Sequence, residues 1–360
     1  MEIFFSVGEP SGDQHAAHLI EELTRRRPDI QCSGYGGPEM EQAGCRLDYR
    51  LTELAVMGIA AVLPLLGKFI RLAREARQLF RERKPDAVVL VDFPGFNWWI
   101  ARAAKKEGIP VFYFLPPQLW AWAGWRIRRI RKHVDHVLCG LPFEPEWYAQ
   151  RGVQVEYVGH PFFDEVRARQ LDADFCREYT DDSRPVLGVL PGSRNSEVNF
   201  VFPLMLESLR KIHQEHPTAR LVVACYREQH VTRCREMAAE IAPGLPLEFH
   251  AGKTPEIIEV ADCCVMCSGS VSLEMLARGK PAVVMYRIGR VMHSIFRPMV
   301  RVPHISLSNL IAGRRLMPEF YAVWWKGPTV RRTAEVLNRW LADPAELANV
   351  RRQVEEVRDM

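Results

Sequence analysis

Short runs of β-branched and apolar residues alternate with longer stretches whose apolar positions recur at helical spacing. In the first part of the chain the runs predict strands at Ile3–Val7, Ala87–Val91, Val111–Phe114, His136–Cys139 and Gln154–Val158. Helical spacing between them covers His15–Arg27, Leu65–Arg83, Trp98–Lys106 and Phe143–Arg151. Strand and helix taking turns in this way is the pattern of a parallel sheet flanked by helices, whose βα turns open at the carboxyl edge where ligands bind.

A polar stretch from Arg167 to Arg184 then interrupts the periodicity and reads as a connection between domains. The alternation restarts with strands at Val186–Leu190, Leu221–Ala224, Cys263–Met266 and Ala282–Tyr286, with helices through Leu209, near Arg235 and from Val271. From Thr329 to Val357 the pattern is helical, broken at Asp343-Pro344. The expected fold class is therefore α/β, with two doubly wound Rossmann-like domains facing a cleft and C-terminal helices behind them. The boundaries read as 1–165, 166–328 and 329–360.

Length supports two domains, since 360 residues is long for one core. Charge changes little: 48 Lys and Arg against 44 Asp and Glu leave a net charge of +4, too small by itself to imply a nucleic-acid partner. Nine cysteines scattered through apolar runs read as buried thiols of a reducing compartment. Cys264 and Cys267 have metal-pair spacing but no companion pair, so neither a metal nor any other cofactor is expected. The opening Met1-Glu2-Ile3-Phe4-Phe5-Ser6-Val7 reads as a strand and not a leader, so a cytoplasmic location is expected. No run approaches the roughly 20 apolar residues of a spanning helix, which leaves peripheral association as the expected form of membrane contact.

Candidate chemistry sits at the βα turns. Gly8-Glu9-Pro10-Ser11-Gly12-Asp13 follows the first strand, so Ser11, Gly12 and the turn amides are candidates to meet an anion; Ser11 or Asp13 as a helix cap is the plainer reading. Asp92, ending the Ala87–Val91 strand, is placed either to act as a general base or to hold the next turn, and Glu9 and Asp13 are the neighbouring carboxylates to consider after it. Leu190-Pro191-Gly192-Ser193-Arg194 opens the second domain in the same position, where Arg194 can clamp a diphosphate or pair with Glu197 on the surface. Ser268, Gly269 and Ser270 form a small-residue turn that lets a ligand approach the backbone, with Glu274 one turn into the helix as an acceptor for sugar or ribose hydroxyls. Asp172-Ala173-Asp174 looks like a metal-binding acid pair but lies in the polar connection, and His160 is expected at a cleft edge, where hinge packing and a ligand role are equal readings. Trp120, Trp122 and Trp125 lead into a dense basic run ending at Lys132; with the apolar segment Met57 to Phe69, which includes Leu63, they read as a membrane-interface surface or as a solvated basic face.

Taken together and in order, these motifs resemble the lipid-A-disaccharide synthase family over nearly the whole chain. The resemblance also rests on Gly36-Gly37-Pro38-Glu39-Met40, Glu53-Leu54-Ala55-Val56-Met57-Gly58, Asp92-Phe93-Pro94-Gly95-Phe96-Asn97, Leu141-Pro142-Phe143-Glu144, Val158-Gly159-His160-Pro161, Tyr286-Arg287, Asn309 with Ala312-Gly313, and Pro318-Glu319. It implies a GT-B glycosyltransferase of lipid A biosynthesis, with acceptor and lipid in the first domain and the nucleotide sugar mainly in the second. The implied reaction is inverting and metal-independent: 2,3-diacylglucosamine passes from UDP to the 6-hydroxyl of 2,3-diacylglucosamine 1-phosphate (lipid X) at the cytoplasmic face of the inner membrane. Asp92 falls on the family's candidate base and Arg194 on its phosphate-binding arginine; Tyr286 and Asn309 fall at the nucleotide-sugar site. A homodimer is compatible with this reading.

The chain departs from the family pattern at Gly95, Ala61, Ser308, Tyr321 and Ala322, where many members carry Asp, Glu, Pro and, shortly after the Pro-Glu pair, Gln. Two alternatives stay open on sequence alone: a UDP-sugar 2-epimerase, which shares the two-domain architecture and nucleotide turn, and a non-catalytic UDP-sugar-binding regulator.

Overall fold

The computed structural model describes every residue except 55–62, 291–292, 295–299 and 301; the side chain of Leu63 also lies outside the description. The chain divides into two compact units, Met1–Pro161 and Phe162–Met360.

The first unit is built on seven parallel strands: β1 Glu2–Val7, β2 Gln31–Gly36, β3 Arg46–Arg50, β4 Ala87–Val91, β5 Val111–Phe114, β6 His136–Cys139 and β7 Glu156–Tyr157. Their order is β3-β2-β1-β4-β5-β6-β7, so the direction of winding reverses between β1 and β4. Those two strands are buried along nearly their whole length, which is why they read as unbroken apolar runs. One face of the sheet packs Phe4, Val88 and Leu90 with Phe69, Leu72, Ala76 and Phe80 of the Leu66–Arg83 helix. Ile3, Phe5, Val7, Val89 and Val91 meet Ala16 and Ile20 of the Pro10–Arg26 helix on the other.

The second unit holds β8 Val186–Leu190, β9 Arg220–Cys225, β10 Leu247–Ala251, β11 Cys263–Cys267, β12 Ala282–Arg287 and β13 Glu319–Ala322, all parallel, in the order β10-β9-β8-β11-β12-β13. Here the reversal lies between β8 and β11. The Gly327–Ala342 helix packs against the Asn195–Glu215 helix through Val330, Ala334, Leu337 and Trp340. Asp343 then caps the final Pro344–Arg358 helix, accepting from the Ala345 and Glu346 amides at 2.9 and 3.1 Å.

Several elements differ from the sequence expectation. Helices start earlier, at Pro10 and Pro94, because proline at a first helical position needs no amide partner. Ser11, Gly12 and Asp13 thereby lie inside the first helical turn and not in a free loop. The polar stretch contains a helix, Ala173–Thr180, with Asp172 as its N-cap accepting from Asp174 and Phe175 amides, both at 3.1 Å. Asp172 also pairs with Lys253 at 2.6 Å, so the supposed acid pair is a helix cap. Cys264 and Cys267 are buried in β11, where desolvation pushes each thiol up to about 12.

Candidate functional site

In the first unit the turns after β1 and β4 meet where the winding reverses, the position at which open α/β sheets take ligands. Asp92 and Phe93 follow β4 with φ of 44° and 43°, two consecutive left-handed residues that are not glycine. Such backbone persists only where its surroundings over-determine it. Here the Asn97 amide, fully buried, donates to the carbonyls of Asp92 at 2.8 Å, Ser6 at 3.1 Å and Val91 at 3.2 Å, and accepts from the Ser6 hydroxyl at 2.7 Å. The Tyr113 hydroxyl donates to the same Asp92 carbonyl at 2.8 Å.

Gly8 completes this packing. A Cβ there would stand 2.1 Å from the Phe93 ring, so only glycine admits the ring in its present place. A Cβ on Gly12 would lie 3.9 Å from the Asp92 Cβ, which puts the first turn of the Pro10 helix beside the carboxylate. Burial raises the Asp92 carboxyl above its ordinary value, against smaller opposing effects of the Phe93 amide and His15. The Tyr113 hydroxyl is pushed well up by burial and also feels both Asp92 and Glu9, which places Glu9 in the same neighbourhood. The His15 and His160 rings meet edge to face with centroids 5.5 Å apart. Asp13 serves the scaffold instead. It accepts from the amides of Gly37 at 2.8 Å, Glu39 at 3.0 Å and Met40 at 3.3 Å, tying the Pro38–Gln42 helix to the first one. Gly95 faces open space and Ser11 is exposed.

The tryptophan-rich segment divides. Trp120 is buried, and its indole donates to Glu144 at 2.9 Å while Glu144 also accepts from the Leu141 amide at 2.9 Å. That placement takes the Trp120 ring out of any surface contact, because a buried indole N–H needs an internal acceptor and Glu144 supplies it. Trp122 and Trp125 remain exposed, with the Arg126 guanidinium 4.9 and 5.2 Å from their ring centres. Met57 and Ala61 lie outside the described residues, as does the Leu63 side chain. Leu66 is exposed and Phe69 is buried.

In the second unit β8 ends in the Pro191-Gly192-Ser193-Arg194 turn, with Gly192 at a φ of 114°. Glu197 closes it: its carboxylate accepts from the Ser193 amide at 3.0 Å, the Arg194 amide at 3.1 Å and the Arg194 guanidinium at 2.7 Å. The amides of this turn are therefore held by a carboxylate of the chain itself, and of the two readings of Arg194 the structure shows the pair with Glu197. Arg194 and Glu197 both act electrostatically on Cys267 and on Tyr286, so the ends of β8, β11 and β12 converge on one spot. Burial pushes the Tyr286 hydroxyl up.

Gly269 and Ser270 are exposed between β11 and the Val271–Ala277 helix, and Ser268 contacts the Ile305 carbonyl at 3.4 Å. A Cβ on Gly269 would meet nothing, so the turn is open to a ligand. Glu274 is buried and faces Arg278 at 3.3 Å and Arg169 at 3.9 Å, a partner set that sequence spacing did not suggest. Asn309 is fully buried; its side chain donates to the Met317 carbonyl at 2.7 Å and Glu319 at 2.8 Å, and accepts from the Leu316 and Met317 amides at 2.8 and 2.7 Å. With its hydrogen-bonding capacity spent inside the fold, Asn309 shapes the turn before β13 instead of reaching outward. Ser308 is buried beside it, against the Met317 sulfur at 3.3 Å. Sequence reasoning named Glu197 as a partner of Arg194, but it missed the holding roles of Asn97, Tyr113, Glu144 and Glu319. A buried amide or carboxylate on a helix leaves no periodic signal, although Asn97 six residues past a strand end is the kind of position to inspect.

Comparison with known proteins gives a consistent result. Residues 3–326 match the family model described as lipid-A-disaccharide synthetase. A lipid-A-disaccharide synthase of Syntrophotalea carbinolica is 37% identical over 324 residues, covering 88% of this chain and 81% of that one. The Geobacter metallireducens lipid-A-disaccharide synthase is 31% identical across 99% of this chain and 92% of its own. Among solved structures, the UDP-GlcNAc 2-epimerase of Neisseria meningitidis bound to UDP-GlcNAc superposes with a TM-score of 0.64 at 11% identity, covering 100% of this chain and 98% of that one. MurG of Acinetobacter baumannii gives 0.59 at 12% identity, over 99% and 94%. At those identities the structural likeness speaks for the two-Rossmann GT-B fold alone. Family is decided by the sequence matches, which span most of both partners: this chain belongs to the lipid-A-disaccharide synthase family.

Proposed function

We propose that the chain is the glycosyltransferase that joins UDP-2,3-diacylglucosamine to 2,3-diacylglucosamine 1-phosphate, forming the β-1,6-linked lipid A disaccharide 1-phosphate and releasing UDP. The synthase matches do not favour the 2-epimerase reading, and they place the chain among enzymes and not idle binders. The single observation that carries the chemical assignment is Asp92. It is a carboxylate at the winding reversal of the first sheet, on backbone held in a left-handed conformation, with its proton affinity raised by burial. A raised carboxyl suits a general base, because proton transfer is most effective when the base is not far weaker than the group it relieves.

In this reading Asp92 takes the proton from the acceptor 6-hydroxyl as that oxygen attacks the anomeric carbon from the face opposite UDP, which inverts the configuration. The second unit receives the nucleotide. The open Ser268-Gly269-Ser270 turn lies with Arg194 and Tyr286 around the end of its sheet, and Arg194 leaves Glu197 to meet the charge that develops on the diphosphate. Acyl chains keep both substrates at a bilayer, and Trp122, Trp125 and Arg126 form the part of the basic segment that can reach one. No helix among the described residues is long and apolar enough to cross a membrane. Direct transfer can be tested by following UDP release. With donor alone release should be negligible, and adding acceptor should start it; equal release without acceptor contradicts transfer to the 6-hydroxyl.

A further inference from the structure

The acceptor of the proposed reaction carries a phosphate that Asp92 cannot hold, because both are anions. Its 6-hydroxyl and its 1-phosphate stand on either side of the sugar's ring oxygen, so the groups that hold the phosphate must lie close to the base. That edge of the first sheet is acidic, since Glu9 shares the neighbourhood of Asp92. A phosphate placed there needs N–H donors that can carry positive charge.

Two histidines stand at this edge. His15 lies one helical turn beyond Gly12 on the Pro10–Arg26 helix, and a Cβ on Gly12 would be 3.9 Å from the Asp92 Cβ. Its charge acts on Asp92 in the direction that favours the carboxylate. The His160 ring meets the His15 ring edge to face, with centroids 5.5 Å apart and planes at 88°. His160 follows β7 and packs on the turn after β6: a Cβ on Gly140 would stand 3.2 Å from its Cδ2 and 2.7 Å from the Leu115 Cδ2, so glycine leaves room for both side chains. Leu115, directly after β5, has a φ of 50°. Left-handed residues that are not glycine thus follow β4 and β5 alike, and such strain gathers where a site is shaped. Both histidines are half-buried, within reach of a molecule arriving from outside.

We infer that His15 and His160 together bind the 1-phosphate of the acceptor and so turn its 6-hydroxyl towards Asp92. The inference rests on the transfer reading of the site. An imidazole presents a ring N–H to a phosphate oxygen in either protonation state, and two rings set at right angles bring their donors from different directions. Two histidines in contact repel each other once both are protonated, and a phosphate between their N–H groups removes that repulsion. The diphosphate of UDP offers the same chemistry, so it serves as the competing source in the test.

Titrating the full chain with glucosamine 1-phosphate, which presents the phosphate without acyl chains, is read through the imidazole nitrogen resonances. His15→Phe and His160→Phe identify the two rings, with His15→Gln and His160→Gln in reserve should a phenylalanine variant fail to fold. Both resonances should move at concentrations at which glucosamine and UDP leave them in place. In transfer assays the parent should favour the phosphorylated acceptor over 2,3-diacylglucosamine by about a hundredfold in kcat/KM, roughly tenfold for each charge-assisted hydrogen bond. Phenylalanine keeps the ring contact and removes the nitrogens, so each variant should lower that preference about tenfold. A preference unchanged in both variants would overturn the inference. So would rings that ignore glucosamine 1-phosphate in the parent, or that answer UDP equally. A parent that makes no disaccharide from either acceptor defeats the transfer reading and the inference with it, whereas disaccharide formed with an unchanged preference defeats the histidine assignment alone.

Discussion

Replacing Asn97 with Ala tests how the first unit holds its carboxylate. The amide group is fully buried and makes four hydrogen bonds, three donated to the Ser6, Val91 and Asp92 carbonyls and one accepted from the Ser6 hydroxyl. Two N–H hydrogens shared among three carbonyls count as about two effective donated bonds. With the accepted one, the net loss is about 2–4 kcal/mol, since water cannot readily replace the partners left behind. Tyr113 still reaches the Asp92 carbonyl, so the turn should loosen without being lost. A shift of about 1 Å at the reacting group costs on the order of a hundredfold in rate, which sets the expected fall in kcat. Urea unfolding followed by tryptophan fluorescence reads the stability, and steady-state turnover with UDP binding in parallel separates chemistry from nucleotide affinity. A variant that unfolds at the parent's urea concentration and turns over at the parent's rate would refute the argument that Asn97 holds the left-handed Asp92-Phe93 turn.

Further outcomes are expected at Asp92, at the Arg194–Glu197 pair and at Gly8. Asp92→Asn should lower turnover by about 10²–10⁴-fold with UDP affinity unchanged. It should also raise the melting temperature: the folded carboxyl is raised above its unfolded value, so its ionised form costs stability that is recovered as pH falls through the folded pKa or when the charge is removed. By the same sign, parent activity should decline as pH falls through that raised value, earlier than an ordinary aspartate would dictate. Arg194→Ala should reduce turnover tenfold to a thousandfold, roughly 2–4 kcal/mol of leaving-group stabilisation, whereas Glu197→Ala should mainly cost about 1 kcal/mol of stability as a lost helix cap, read from thermal melts. Gly8→Ala should push the Phe93 ring aside and cut kcat about tenfold or more with UDP affinity intact, because the added Cβ would fall 2.1 Å from that ring.

How much of this was legible in the sequence depended on burial. Strands buried on both faces, such as β1, β4, β8 and β11, announce themselves as apolar runs, and the two-unit α/β fold follows from their alternation with helices. β2 escaped because Gln31-Cys32-Ser33-Gly34-Tyr35-Gly36 lacks such a run. Gly34 is there for another reason, since a Cβ would stand 2.1 Å from the Phe5 carbonyl oxygen of the neighbouring strand. β3, β10 and β13 are edge strands with half-exposed or polar faces, where the alternation is blurred. At the candidate site the position of Asp92 was readable from the strand it ends, while the strain of its backbone and the Asn97 and Tyr113 contacts depend on residues brought together from three elements. Asn309 and Trp120 show the opposite limit. A polar side chain and an indole that look outward in a motif are both turned inward, because each had a carboxylate partner, Glu319 and Glu144, that spacing along the chain does not show.

The most direct test of the account is the identity of the product. The pure chain, incubated with UDP-2,3-diacylglucosamine and 2,3-diacylglucosamine 1-phosphate in detergent micelles, should yield UDP and a tetraacyl disaccharide 1-phosphate in equal amounts. Mass spectrometry reads the mass and NMR the linkage, which should be β and to the 6-position. A product with an α linkage would contradict inversion at the anomeric carbon. Recovery of both substrates unchanged, or an epimerised UDP-sugar in place of a disaccharide, would contradict the assigned reaction itself.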